Sequence, residues 1–99
     1  EGYPDIETLV LDTPADETFR KALEAAEDMG LEIVAAEPMG GRIEATATTL
    51  WFGFKDDVVI RITTDGAGSR LDIRSKSRVG GSDVGANAAR IRRFISEIG

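Results

Sequence analysis

Residues 42–76 alternate between apolar and polar side chains, and this pattern constrains the fold more than any other feature of the chain. Successive side chains of a β-strand point to opposite faces, so a period of two is typical of strands with one buried face. The sequence Asp65-Gly66-Ala67-Gly68 interrupts the alternation and is typical of a hairpin turn. We therefore expect an antiparallel sheet with an apolar underside and a charged outer face.

A turn at Gly66 and Ala67 sets the register of this hairpin. The register predicts four pairs of opposite residues: Ile62–Leu71, Ile60–Ile73, Arg61–Asp72 and Asp57–Lys76. Two pairs are apolar and two join opposite charges, and each such pair stabilises a sheet by roughly 0.2–1 kcal/mol. A slip of one residue would expose the isoleucines, so we expect a well-defined register.

The whole chain predicts two helices and five strands. In chain order, we expect an extended lead-in over 1–7, a strand Leu9–Leu11, and a helix Pro14–Met29 that is capped by Thr13 and followed by a left-handed Gly30. We then expect strands Ile33–Ala36 and Arg42–Trp51, a turn Gly53–Asp56, and strands Asp57–Thr64 and Ser69–Lys76. The last helix begins at Ser82 or Asp83; its cations Arg90, Arg92 and Arg93 lie off its apolar stripe, which comprises Val84, Ala88, Ile91, Phe94, Ile95 and Ile98. This β-α-β-β-β-β-α order predicts an α+β fold, with both helices packed on one face of an antiparallel sheet. A length of 99 residues predicts a single domain, residues 1–99.

Composition excludes several classes of function. The net charge of −6 argues against general nucleic-acid binding, which needs a dominant positive field. The chain has no cysteine and no histidine, which excludes disulfides, thiol chemistry, histidine triads and the usual zinc sites. No apolar run reaches transmembrane length, so we expect no membrane span. Composition suits an exported protein and a cytoplasmic one equally well.

The loop before the last helix is a candidate anion site. Seven of the 12 basic residues lie between Arg70 and Arg93. Backbone N–H groups of a glycine-rich loop at a helix N-terminus can hold an anion. The candidate ligand-binding residues are Arg74, Arg78, Gly80, Gly81, Ser82 and Asp83. A structural alternative also fits: the glycines form a sharp turn, Ser82 or Asp83 caps the helix, and Asp83 pairs with an arginine.

Catalytic alternatives rest on carboxylates. Asp56 and Asp57, with Asp72 or Asp83, can in principle bind Ca²⁺ or Mg²⁺ or act as a pair in hydrolysis. Neighbouring strand residues face apart, however, and no calcium-loop pattern is present. For the same geometric reason Lys76 cannot activate Ser75. We therefore expect no catalytic residue, no metal ligand and no cofactor, and keep a metal-assisted or carboxylate-based hydrolase as the alternative.

An apolar patch on the outer sheet face gives a third reading. The predicted register places Leu50, Phe52 and Val59 together there, and such a patch needs a cover. Tyr3 and Pro4 of the lead-in can supply it, and so can a partner. The alternative function is therefore self-association, through Leu50, Phe52 and Phe54.

Five segments carry a family resemblance: Tyr3–Ile6, Arg42–Thr49, Gly53–Val58, Asp72–Gly80 and Asp83–Ile91. Together they resemble the family catalogued as domain of unknown function 1499, over nearly the whole chain. The resemblance implies a shared fold without a particular chemistry. It also implies a bacterial protein, membrane-associated or exported, since some members carry membrane-spanning segments ahead of this domain; we expect this chain to lack one. A site common to these motifs would comprise Glu44, Asp56, Asp57, Arg61, Asp72, Arg74, Ser75, Ser77, Arg78, Asp83, Asn87 and Arg90.

The leading interpretation is a non-catalytic binding or interaction domain. Its partner would be a small polar or anionic ligand, or a protein. In this interpretation Arg74 and Arg78 hold an anionic group, and the backbone of Gly80 and Gly81 adds donors.

Overall fold

A computed structural model describes residues 5–48, 55–77 and 84–98. Within these residues the chain forms the predicted β-α-β-β-β-β-α order, so the α+β class and the antiparallel sheet are confirmed. The elements are β1 (Asp5–Leu11), α1 (Ala15–Asp28), β2 (Glu32–Glu37), β3 (Arg42–Thr48), β4 (Lys55–Asp65), β5 (Gly68–Ser77) and α2 (Val84–Ile98).

The five strands form one sheet in the order β1-β5-β4-β3-β2, with every pair antiparallel. Strands β2 to β5 are sequential neighbours, as a meander requires. Strand β1 pairs with β5 at the far edge, from Asp5 opposite Ser75 to Leu11 opposite Ser69. The first strand is therefore beside the last one, and α1 makes the crossover between β1 and the opposite edge strand.

The predicted hairpin register is confirmed. Strands β4 and β5 place Ile62 opposite Leu71, Ile60 opposite Ile73, Arg61 opposite Asp72 and Asp57 opposite Lys76. The turn is at Gly66 and Ala67, and Gly66 has a φ of +61°, a left-handed conformation that glycine adopts without a steric cost. The long alternation therefore orients both strands, with every inward apolar side chain facing the helices.

Both helices pack on one face of the sheet, as predicted. The core contains Phe19, Ala22 and Ala25 of α1, Ile91, Phe94 and Ile98 of α2, and the inward residues Ile43, Ala45, Val58, Ile60, Ile62, Leu71 and Ile73 of β3 to β5. The apolar stripe predicted for the last helix is buried at these three positions. The opposite face of the sheet carries no helix of the described chain; Arg61, Arg74 and Lys76 are exposed on it, whereas Thr46 is buried.

The two ends of helix α1 compare differently with the prediction. The predicted Thr13 cap is wrong: Pro14 occupies the cap position, in extended geometry and without a side-chain cap. At the other end Gly30 is left-handed with φ +80°, as predicted. The Gly30 N–H bonds to the carbonyl of Glu27 and the Leu31 N–H to that of Ala26, which is the Schellman arrangement.

Three hydroxyl groups attach the start of α1 to β5. The Thr18 and Ser69 hydroxyls lie 2.6 Å apart, and Ser69 Oγ donates to the Thr13 carbonyl at 2.9 Å. Thr13 Oγ1 also lies 2.6 Å from Thr18 Oγ1. Thr18 and Ser69 are fully buried. Thr13 is thus bonded to the core side of the helix, which explains why it does not cap it.

Other predicted boundaries are corrected. Residues 5–7, predicted as lead-in, belong to β1, because Asp5, Ile6 and Glu7 pair with β5. Asp56, predicted in a turn, lies in β4. The predictions for Tyr3, Pro4, Leu50, Trp51, Phe52, Phe54, Ser82 and Asp83 lie outside the described residues. No helix among the described residues is both long enough and apolar enough to cross a membrane.

Candidate functional site

The open face of the sheet carries exposed cations on its two central strands. Arg61 of β4, and Arg74 and Lys76 of β5, are exposed. Their strand neighbours Ile60 and Ile73 are buried beneath the helices, so alternation places the cations on the opposite face. In a chain of net charge −6, this face is therefore a local concentration of positive charge.

The acidic groups of the open face have other partners. Asp72 Oδ1 accepts a hydrogen bond from Thr8 Oγ1 at 2.5 Å, and Arg70 Nε lies 3.8 Å away. Glu44 Oε2 pairs with Arg42 at 2.6 Å. Arg61 lies opposite Asp72 in the register but does not pair with it. The predicted opposition of charges is thus present, whereas the ion pair forms with Arg70 instead.

Arg61 and Arg74 consequently face solvent without an acidic partner in the described part of the chain. Among the described residues, no carboxylate oxygen lies within 4.0 Å of either guanidinium group. A guanidinium group offers five N–H donors in a planar fork that matches a carboxylate or a phosphate. The two arginines can therefore accept an anion without first breaking an ion pair.

The two arginines border a small depression with an apolar floor. Its volume is about 190 Å³, and its lining comprises Ile6, Val59, Arg61, Asp72 and Arg74. Ile6 and Val59 lie on either side of Arg74 in the register. The side chain of Ile6 is 58% exposed, and Val59 is half-buried. The depression thus combines two cations, one carboxylate and two aliphatic side chains.

Of the six predicted ligand-binding residues, the described chain contains one. Arg74 lies on the open face, beside this depression. Arg78, Gly80, Gly81, Ser82 and Asp83 lie outside the described residues, so their part in the site remains a prediction. The sequence pattern did not place Ile6 beside Arg74. The two residues are more than 60 positions apart, and no local pattern predicts that their strands pair.

A second group of polar residues lies beneath the helices. Asp56 of β4 is 1% exposed, and Arg90 Nη1 of α2 lies 3.0 Å from Asp56 Oδ2. Arg90 Nη1 also donates to the buried Ser75 Oγ at 3.1 Å. The Arg90 side chain is only 14% exposed, so this cation, predicted off the apolar stripe, nevertheless packs against the sheet. Ser75 is fully buried and faces inward.

The contact of Asp56 with Arg90 is an ion pair without hydrogen-bond geometry. The distance is short, yet neither carboxylate oxygen of Asp56 accepts a well-formed hydrogen bond from the described residues. Burying a charge is costly, and a partner of opposite charge offsets that cost. We therefore interpret this pair as an attachment of α2 to β4, which accounts for both charges without a ligand.

This arrangement does not resemble a hydrolytic site. An open depression of about 310 Å³ is lined by residues that include Arg90, Arg93 and Ala47, but Asp56, opposite Ala47 in the register, does not line it. Asp57 is exposed on the opposite face, so the two adjacent carboxylates cannot act on one substrate. The described residues contain no group of three or more carboxylates placed to hold a metal ion.

The eight motif residues whose side chains the structure describes divide between the two faces of the sheet. The open face carries Glu44, Asp57, Arg61, Asp72 and Arg74, and the helix-covered side carries Asp56, Ser75 and Arg90. The side chains of Ser77, Arg78, Asp83 and Asn87 lie outside the described part of the chain. The eight described members thus form two groups separated by the sheet, and no single site contains them all.

Comparisons with known proteins agree with this fold. The sequence profile of a family described as "Protein of unknown function (DUF1499)" matches residues 1–98. No curated protein matches the chain in sequence.

Several solved structures are similar in fold. Ara h 8.0201 superposes with a TM-score of 0.70 at 10% identity, over 99% of this chain and 92% of that one. DynU16, from the dynemicin biosynthetic locus, gives 0.75 at 16% identity, over 99% of this chain and 46% of that one. Protein CV1439 from Chromobacterium violaceum gives 0.56 at 9%, over 97% and 94%. At identities this low, the likeness shows the α+β fold alone.

Proposed function

The chain belongs to the family described as "Protein of unknown function (DUF1499)", and we propose that it is a non-catalytic binding domain that takes a small anionic group at Arg74. The observation that carries this proposal is the pair of exposed guanidinium groups, Arg61 and Arg74, that have no carboxylate partner among the described residues. Unpaired cations on an acidic protein attract anions locally, because interactions over a few ångströms are screened less than those with distant charges.

The loop that follows β5 is the second part of the proposal. Strand β5 carries Arg74 and leads directly into the segment with Arg78, Gly80 and Gly81. In this proposal Arg78 adds a further cation to those of the strands, and the backbone of the two glycines adds N–H donors. Ser82 and Asp83 complete the loop.

The chemistry of the described residues supports a binding role over a catalytic one. The sequence offers no cysteine or histidine as a nucleophile or base. Ser75 is fully buried and accepts a hydrogen bond from Arg90, so its hydroxyl is not available to a substrate. Asp56 is enclosed with its arginine. Binding by charge and hydrogen bonds needs none of these groups.

Titration of ¹⁵N-labelled protein with phosphate and with acetate, in chloride-free buffer, tests the proposal. We expect saturable shifts of the Ile6, Val59 and Arg74 amides, because these residues surround the anion, and of the Gly80 and Gly81 amides if the loop contributes donors. Arg74→Gln should abolish the shifts, while Arg92→Gln, which removes an exposed cation from α2, should preserve them.

Two results would contradict the proposal. Shifts that rise linearly without saturation would mean that no site exists. Saturable shifts that persist in Arg74→Gln would place the site elsewhere. Loss of the glycine shifts alone, with the strand shifts retained, would exclude the loop from the site.

A further inference from the structure

We infer that the anion bound on this face is a monocarboxylate with a short apolar chain. This inference rests on the proposed function and names the class of ligand for the same site. Its basis is the depression lined by the two arginines, Arg61 and Arg74, and by two aliphatic side chains, Ile6 and Val59, which lie on either side of Arg74 in the register.

The register places the two arginines correctly for one anionic group. Val59 lies directly opposite Arg74, and Arg61 lies opposite Asp72. Arg61 and Arg74 are therefore diagonal neighbours on adjacent strands, with backbones about 7–8 Å apart. Two long side chains from such positions can converge on one carboxylate, and an arginine can bind it through two parallel N–H donors.

The two aliphatic side chains of the depression, Ile6 and Val59, are the reason for proposing an apolar chain on the ligand. Ile6 of β1 is more than half exposed, and Val59 of β4, on the other side of Arg74, is half-buried. A ligand chain that covers these side chains removes apolar surface from water, which contributes roughly 25 cal/mol per Å². Ile6 and Val59 thus add affinity that a bare anion cannot gain.

Charge and volume limit the ligand further. Asp72 lines the same depression and repels a second negative charge, so a monoanion suits the site better than a dianion. The net charge of −6 acts in the same direction. The depression is small, at about 190 Å³, so it suits a short chain better than a nucleotide.

A series of straight-chain acids tests the inference. Acetate, butyrate and hexanoate, with hexanol and inorganic phosphate for comparison, are titrated into the labelled protein in chloride-free buffer. We expect affinity to rise by roughly twofold per added methylene, below the roughly fourfold of complete burial, because the depression is open on one side. Hexanol should bind much more weakly than hexanoate, and phosphate more weakly than butyrate.

A matched pair of variants tests where the apolar chain of the ligand binds. Ile6→Ser should remove most of the dependence on chain length, so that hexanoate binds hardly more tightly than acetate. Val10→Ser is the control, since Val10 lies on the same strand and is 71% exposed but does not line the depression. Both residues are surface positions, so neither change should unfold the protein, and circular dichroism checks this. Arg74→Gln should weaken every acid.

The outcomes separate this inference from the proposed function. Equal affinity for acetate and hexanoate, with saturable binding that depends on Arg74, would contradict the inference that the ligand has an apolar chain. It would not contradict the proposed anion site. Tighter binding of phosphate than of hexanoate would do the same. Equal affinity for hexanol and hexanoate would overturn both, because the site would then be purely apolar. Saturable binding of none of the compounds would also overturn both.

Discussion

The ion pair between Asp56 and Arg90 is asymmetric, because the carboxylate is almost fully buried and the guanidinium group borders an open depression. If the carboxylate is neutralised, Arg90 can turn toward water. If the guanidinium is removed, Asp56 keeps a buried charge with no compensation. The cost of losing one partner of a buried pair therefore falls mainly on the arginine side.

We expect Arg90→Met to lower the free energy of unfolding by roughly 3–5 kcal/mol, because it leaves the buried carboxylate unpaired. Asp56→Asn should cost only about 2 kcal/mol, the order of a buried neutral amide whose hydrogen bonds are incomplete. Urea unfolding followed by circular dichroism measures both. Arg93→Met on the exposed side of α2 is the control, expected within about 0.5 kcal/mol of the parent. An Arg90→Met variant as stable as this control would contradict the asymmetry.

Asp56 also shows why the buried ion pair was not predicted from the sequence. Asp56 is in phase with Val58, Ile60 and Ile62, which are all buried, so the two-residue period alone could have placed it inward. Its charge and the preceding glycine favoured a turn instead. The compensating cation, Arg90, lies 34 residues further along the chain, and no local pattern links the two. A buried ion pair becomes visible only when both partners are placed.

At the scale of elements, the turn between β2 and β3 depends on one glycine. Gly41 has a φ of +67°, and its carbonyl accepts a 2.7 Å hydrogen bond from the Ile62 N–H of β4. A Cβ atom at Gly41 would lie 2.1 Å from the Ile62 carbonyl oxygen. Gly30 at the end of α1 has a φ of +80° but no atom within 4 Å of such a Cβ. The two glycines share the backbone conformation and differ in their surroundings.

We expect Gly41→Ala to destabilise the protein by at least about 3 kcal/mol, since strain and a backbone clash add together. Gly30→Ala should cost only about 1–2 kcal/mol, the cost of the left-handed conformation for a residue with a Cβ atom. Thermal unfolding of both variants beside the parent gives the comparison. Equal losses would mean that β3 and β4 separate easily at this turn, against the close approach described.

The elements themselves were largely predictable where their signals are local. The β4–β5 hairpin, the left-handed glycine after α1 and the apolar stripe of α2 were predicted from spacing alone, and the structure confirms them. The full extent of β1 was not, because residues 5–7 gain strand geometry only by pairing with β5. The same limit applies to the candidate depression. Its cations were predicted on the outer face, whereas Ile6 joins its lining only through the pairing of β1 with β5.

For the whole molecule, the sheet separates two kinds of polar chemistry. The covered face uses charge to attach a helix, and the open face presents charge to solvent. This division follows from a single alternation in the sequence, since adjacent residues such as Asp56 and Asp57 point in opposite directions. It also means that changes on the open face should have little effect on the core.

The two edge strands should differ in local stability. Strand β1 pairs with β5 over seven consecutive residues, and Leu9 and Leu11 pack against the core. The register of β2 shifts between Ile33 and Ala35, and none of its side chains is fully buried. Local opening requires the loss of fewer buried contacts at β2 than at β1.

We therefore expect native-state hydrogen exchange to rank the strands. Hydrogen-bonded amides of β4 and β5, such as those of Ile60 and Ile73, should exchange only through global unfolding, because each strand has a neighbour on both sides. Amides of β1 should follow, and those of β2 should exchange first, through an opening independent of denaturant. The measurement compares exchange at increasing sub-denaturing urea by NMR. Protection of β2 equal to that of β1 would contradict the ranking, and would mean that the register shift does not weaken this edge.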